Sequence, residues 1–234
     1  MFAIAQSELR MLVRNRLVAA CAILIPLALG AFFIFSGNEG AGAITAVLVV
    51  MIMVSMGVYI TATTTLAARR QTLFLKRLRS GVVSDAGIIA GLVAPIVAIS
   101  VVQVSAVLAV LAFTDEPPQV IWPVVVGVLL AEVMFTGLAL ATAGVTNSPE
   151  HAQVTTLPFF FLSVGVSMWV VFTGVEELAW VKRALPGGGV TELILAGWSG
   201  GDIHNAFVLI LPSLAWAAIA VFAARSMFRW EPRA

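Results

Sequence analysis

Six long apolar segments occupy most of this 234-residue chain, and each contains at least 20 residues. They cover residues 17–36, 43–66, 86–113, 120–145, 154–173 and 203–224. A helix of roughly 20 apolar residues crosses the hydrocarbon of a bilayer and satisfies its own backbone polar groups there. Because 61% of the residues are hydrophobic and only 11% are charged, a soluble domain of this size could not bury them. The sequence therefore predicts an all-α membrane protein with six transmembrane helices in a single domain.

The basic residues are distributed unevenly between the two ends of the predicted helices. Eleven of the thirteen lie before the first segment, between the second and third, or after the sixth, and only Lys182 and Arg183 lie elsewhere. The eleven are Arg10, Arg14, Arg16, Arg69, Arg70, Lys76, Arg77, Arg79, Arg225, Arg229 and Arg233. The positive-inside rule places both termini in the cytoplasm. We expect a multi-pass protein of a prokaryotic plasma (inner) membrane, with its first segment retained because it exceeds a signal-peptide core in length.

Two cytoplasmic segments combine basic and apolar residues. Residues 2–16 would form an interfacial helix, with apolar residues on one face and Arg10 and Arg14 on another. The alternative is a simple positive anchor for the first helix. Residues 67–85 mix apolar and basic residues at helical spacing up to Ser80-Gly81, and Ser84 or Asp85 would cap the third transmembrane helix. This segment would bind lipid or a cytoplasmic protein. The alternative is that its basic residues only set the orientation of the helices in the membrane.

The outer connection, residues 174–202, is too apolar for a solvated loop. It predicts a short interfacial hairpin, with helices near residues 176–185 and 190–196 separated by Pro186 and three glycines. Trp180 and Trp198 would then lie at headgroup depth.

Glu132 is the only acidic residue well inside an apolar segment. A carboxylate within a membrane indicates a functional site by default, such as a substrate path, a proton relay or a partner for a cationic substrate. The structural alternative is a packing carboxyl, hydrogen-bonded to a polar residue such as Gln103 on a neighbouring helix. Both residues are therefore candidates for a substrate path.

The sequence gives weaker evidence for a nucleotide-binding, protease or metal site. The sequence contains no GxxxxGK[ST] phosphate loop, so the chain does not bind ATP by that motif. Gly197-Trp-Ser-Gly200 matches the GxSG pattern of rhomboid intramembrane serine proteases, with Ser199 as nucleophile and His204 close by, but such short glycine-rich patterns arise easily. His151 has no second histidine nearby, and Cys21 is the only cysteine, so we expect neither a metal site nor a disulfide.

The order of these pieces resembles the permease subunit of type-2 ATP-binding cassette (ABC) exporters. Four segments carry the resemblance: SELRMLVRNRL with its Arg14-Asn15 pair, RRQTLFLKRLRSGVVSDAGIIAGLV, NSPEHAQVTTLPFFFLSVG and ALPGGGVTELILAGWSGGD. Gln71 departs from the glycine that the family often has, and the outer loop lacks the usual early proline.

The resemblance implies a translocating subunit without catalytic residues, cofactor or nucleic-acid partner. Two permease copies, identical or different, would pair, and separate P-loop ATPase subunits would bind ATP and Mg on the cytoplasmic face. Residues 2–16 would be an elbow helix (Leu9, Arg10, Arg14 and Asn15), and residues 67–85 would form the coupling helix (Arg69, Arg70, Leu73, Phe74, Lys76, Arg77 and Leu78). A hydrophobic or amphipathic substrate, such as a drug, antibiotic or lipid, would pass between the copies along the first, second and fifth helices. A proton-coupled secondary transporter using Glu132, or an intramembrane protease using Ser199, is the alternative.

Overall fold

The computed structural model describes residues 4–8, 10, 16–36, 41–81, 83–201, 206–227 and 230, and only the backbone of 16–23 and 227. All regular structure in these ranges is helical. The helices are α1 (Arg16–Ser36), α2 (Gly42–Val54), a π-helical segment (Ser55–Ile60), α3 (Thr61–Gln71), α4 (Phe74–Arg79), α5 (Asp85–Thr114), α6 (Ile121–Val145), α7 (Pro149–Thr155), α8 (Leu157–Thr173), α9 (Ala179–Ala184), α10 (Gly188–Ser199) and α11 (Ala206–Met227). Residues 4–8 and 10 are also helical.

Five of the helical stretches are long and apolar enough to cross a membrane. They are Gly42–Gln71, Asp85–Thr114, Ile121–Val145, Pro149–Thr173 and Ala206–Ser226. The apolar part of α1 whose side chains are described, Leu24–Ser36, is shorter than a full span. The prediction of an all-α, multi-pass membrane protein is confirmed at this level.

Helix α6 lies at the centre of the bundle, where it packs mainly against α11 and α10. Ala131, Met134 and Phe135 on α6 are fully buried. Close approach to α11 depends on Gly137, since a methyl group there would lie 3.3 Å from the main-chain oxygen of Ala217. Small residues are the usual means by which membrane helices approach closely, because they remove side-chain bulk between the backbones.

Two helix boundaries differ from those expected. The helical stretch that begins at Gly42 continues through a π-helical segment to Gln71, so the connection to α5 begins there and not at residue 67. The fifth begins at Pro149, where Ser148 caps α7 by accepting a hydrogen bond from the His151 amide. Ser84 caps α5 in the same way, accepting from the Gly87 amide at 3.2 Å. Both starts follow from hydroxyl side chains that satisfy first-turn amides.

The outer hairpin enters the bundle, unlike the interfacial hairpin expected from the sequence. Helix α10 begins at Gly188, two residues before its expected start, and packs against α6, α2, α11 and α8. Trp198 is 5% exposed, and its indole donates a hydrogen bond to the Glu116 main-chain oxygen at 3.0 Å. Trp180, in contrast, is 75% exposed. The apolar residues of α10 therefore belong to the protein core.

Candidate functional sites

Helix α4 presents a basic surface on the connection between the second and third transmembrane helices. Leu75 is fully buried and anchors the helix, while Phe74 and Leu78 are half-buried against the core. Lys76 and Arg77 are exposed beside Leu73, which is 45% exposed. Leu73 has a φ of 57°, a left-handed conformation that turns the chain sharply between α3 and α4. The exposed positive charges therefore lie on a short, well-anchored helix.

Arg69 joins this segment to the N-terminal helical residues. Its guanidinium lies 2.7 Å from a carboxylate oxygen of Glu8 and 5.1 Å from the centre of the Phe74 ring. The Glu8 side chain is 8% exposed, which limits screening of the pair by water. Arg10 is exposed, whereas Leu9, Arg14 and Asn15 of the expected elbow lie outside the described residues.

Arg70 does not share the exposed surface of Lys76 and Arg77, although the sequence grouped the three together. It is 1% exposed, and its Nη1 atom donates a hydrogen bond to the Ala143 main-chain oxygen at 2.9 Å. Ala143 lies in the last turn of α6, where carbonyl groups lack helical partners and a cation is favoured. Arg70 therefore holds α3 to α6 from the inside of the bundle and is not part of the exposed basic surface.

Glu132 is 3% exposed and lies near the middle of α6. The hydroxyl of Ser100 on α5 donates a hydrogen bond to its Oε1 atom at 2.8 Å. Oε2 has no hydrogen-bond partner among the described residues. Gln103, the residue that the sequence suggested as a partner, is also buried and lies three residues beyond Ser100. The sequence suggested a polar partner on a neighbouring helix, which Ser100 on α5 provides, but it did not single out Ser100.

Glu132 lines a cavity of about 930 Å³ between α5, α6 and α11. The walls are mostly apolar, with Val93 and Val97 on α5 and Leu129 and Val133 on α6. Asp85 and Arg225 lie at the end of the cavity where α5 begins and α11 ends. The result is an apolar groove with one buried carboxyl group near the middle of the helices.

Lys182 and Arg183, the two basic residues of the hairpin that holds α9 and α10, both have structural partners. Lys182 is 1% exposed, and its ammonium donates to the Thr173 hydroxyl at 2.8 Å and to the Gly174 carbonyl at 2.7 Å. Arg183 on α9 pairs with Glu192 on α10, with 2.7 Å between Nε and Oε2. The hydrogen bonds that Arg183 donates to the Glu192 carboxylate raise the pKa of Arg183 above its ordinary value. These contacts fix the outer hairpin.

Ser199 is exposed at the end of α10, and His204 lies outside the described residues. The structure therefore gives no geometry for a pair between them. Within the described ranges, no group of three His, Cys, Asp or Glu residues is arranged to hold a metal ion.

Comparison of the sequence with protein-family models and with curated proteins found no match. Function is therefore inferred from the residues of the chain and their geometry.

Proposed function

We propose that this chain is the permease subunit of an ATP-driven exporter of the type-2 ABC class. Six membrane-crossing helices, including α1, would form the translocating unit, with both termini in the cytoplasm. A partner ATPase would bind ATP and Mg and dock on the cytoplasmic face. The observation that carries the proposal is the surface of α4, where Lys76 and Arg77 are exposed on a helix anchored by the buried Leu75.

Contacts at the end of α3, directly before α4, suit the transmission of a mechanical load. Arg69 contacts Phe74 of α4 and pairs with Glu8 in the N-terminal helical residues, which would act as an elbow helix. Arg70 links α3 to the end of α6 through Ala143. A displacement of α4 would therefore move two other elements, because charge-assisted hydrogen bonds resist stretching more than neutral ones.

A second permease copy would cover the apolar surface of α1 and α8. Phe32 and Phe35 on α1 are 62% and 80% exposed, and Phe161 and Phe172 on α8 are 64% and 76% exposed. Helix α2 is mostly buried within the single chain. In a dimer, α1 and α8 would therefore supply most of the path for a hydrophobic or amphipathic substrate.

Charge reversal on α4 tests the proposed docking surface. The chain would be co-expressed with a P-loop ATPase encoded by an adjacent gene, and co-purification measured for the Lys76→Glu/Arg77→Glu variant. We expect most of the ATPase to be lost while membrane insertion is retained. Arg225→Glu is the matched control, since Arg225 is also basic and exposed on the cytoplasmic end but lies on α11. Normal co-purification of the double variant would contradict the assignment of α4.

The exporter function itself is tested with the reconstituted pair. An exporter of this class should show ATP hydrolysis that is stimulated by its substrate, and transport should stop when ATP is withheld. ATP-independent transport would instead favour the second candidate.

That second candidate is a proton-coupled secondary transporter, favoured by the buried Glu132 beside a cavity. It would work in liposomes without any ATPase, driven by a pH gradient. Glu132→Gln would then abolish coupling to the gradient, whereas the same change at the exposed Glu150 would not.

A further inference from the structure

We propose that the groove between α5, α6 and α11 binds a lipophilic ammonium compound, with Oε2 of Glu132 accepting a hydrogen bond from the charged nitrogen. The groove lies within one copy of the chain. Binding at this groove can therefore be tested without a second copy or an ATPase.

The buried carboxyl group provides the chemical specificity. Ser100 donates a hydrogen bond to Oε1 and not to Oε2. Oε2 has no hydrogen-bond partner among the described residues. Burying a carboxylate is unfavourable unless a counter-charge and hydrogen-bond donors accompany it. An ammonium group supplies both, whereas an alcohol supplies a donor without the charge. The unfilled requirement of Glu132 therefore selects a cation.

The charged residues at the end of the groove do not meet this requirement. Asp85 pairs with Arg79, with 3.3 Å between the carboxylate oxygen and Nε. On α11, Arg225 lies two turns beyond Ala217, the residue that packs against Gly137 of α6. On α6, Glu132 lies more than one turn before Gly137. At 1.5 Å per residue, Arg225 is roughly 20 Å further along the bundle than Glu132. The groove thus separates its acidic middle from its basic end.

The apolar walls of the groove would contact the lipophilic part of the ammonium compound. Ala86, Ala90, Ala94 and Ala98 line the groove at four-residue intervals on one face of α5. Their small side chains leave space between α5 and the apolar residues of α6, including Leu129 and Val133. A cavity of about 930 Å³ has the size of a small-molecule site, and such sites are mainly apolar with a few placed polar groups.

Binding is tested in phosphatidylcholine nanodiscs with a matched pair of fluorescent probes. The probes are 1-pyrenemethylammonium and its neutral counterpart 1-pyrenemethanol, and empty nanodiscs provide the background. We expect saturable binding of the ammonium. The alcohol should bind with an affinity at least roughly tenfold lower, because it loses a charge-assisted hydrogen bond. Glu132→Gln should weaken ammonium binding by a similar factor and leave alcohol binding unchanged.

A second variant tests the groove without changing the carboxyl group. Ala94→Phe should fill the space and weaken binding of both probes. Val102→Phe is its control, because Val102 is 68% exposed on α5 outside the groove and should tolerate the same enlargement. Equal affinity for the two probes, full binding by Glu132→Gln, or no saturable binding above empty nanodiscs would overturn the proposal. None of these outcomes would bear on ATPase docking at α4.

Discussion

Arg70 donates a hydrogen bond to the main-chain oxygen of Ala143, 73 residues later in the chain, at 2.9 Å. The contact joins the end of α3 to the last turn of α6. Because α6 is the central helix of the bundle, this one side chain ties the end of α3, and with it the start of the connection that holds α4, to the core. The neighbouring Arg69 instead forms an ion pair with Glu8 in the N-terminal helical residues. Adjacent arginines therefore have different structural partners.

Replacing Arg70 by methionine should destabilise the protein. Methionine keeps much of the apolar stem but removes the donor to Ala143, and a hydrogen bond to a charged group contributes about 2 kcal/mol. We expect the apparent unfolding temperature in detergent to fall by roughly 5 °C. Arg79→Met is the control, since the Arg79 side chain is 54% exposed, and its change should be within about 1 °C. Equal shifts for the two variants would contradict the buried role of Arg70.

The Arg69–Glu8 pair should show a measurable coupling energy. A double-mutant cycle with Arg69→Gln and Glu8→Gln isolates it from the other contacts of each residue. We expect about 1 kcal/mol, at the upper end for such pairs, because the two side chains are only 26% and 8% exposed.

The Arg79–Asp85 pair provides the matched cycle. Its side chains are 54% and 50% exposed, and the corresponding coupling should be close to zero. Unfolding temperatures of the four proteins in each cycle give the comparison, and a larger coupling for the exposed pair would refute the assignment.

Trp198→Phe tests the entry of the outer hairpin into the bundle. The change keeps an aromatic ring but removes the indole donor to Glu116, which should lower stability by about 1 kcal/mol. Trp180→Phe makes the same change at a side chain that is 75% exposed and should have little effect. The two apparent unfolding temperatures are compared in one detergent. Similar shifts would indicate that both tryptophans lie in equivalent surroundings, as an interfacial hairpin requires.

The helices were predictable because the apolar character that identifies each one extends over many residues. Each apolar segment contains at least 20 residues, so a few exceptions do not change its assignment. The capping role of Ser84 was likewise predictable, since it depends on residues next to each other in the chain. The expected positions of the outer helices were near those observed, for the same local reason.

The partners of single side chains could not be predicted in this way. Arg69 and Arg70 are adjacent and chemically identical, and only the packing of α3 against α6 separates a buried arginine from a partly exposed one. The burial of a helix in the bundle also depends on distant contacts. Helix α10 enters the bundle because its glycines and apolar residues fit α6 and α11, and a single sequence does not reveal that fit.

Gly189→Ala should strongly destabilise the packing of α10 against α11. A methyl group at Gly189 would clash with the main-chain oxygen of Leu209 on α11, and a backbone atom cannot move away as a side chain can. Overpacking of this kind costs about 3 kcal/mol, so we expect a fall of roughly 10 °C in the apparent unfolding temperature. Gly165→Ala is the matched control, because a methyl group there has no heavy atom within 4 Å and alanine favours the helix. If the two variants unfold at the same temperature, then α10 does not press against α11 at this point, and the buried position of the hairpin is wrong.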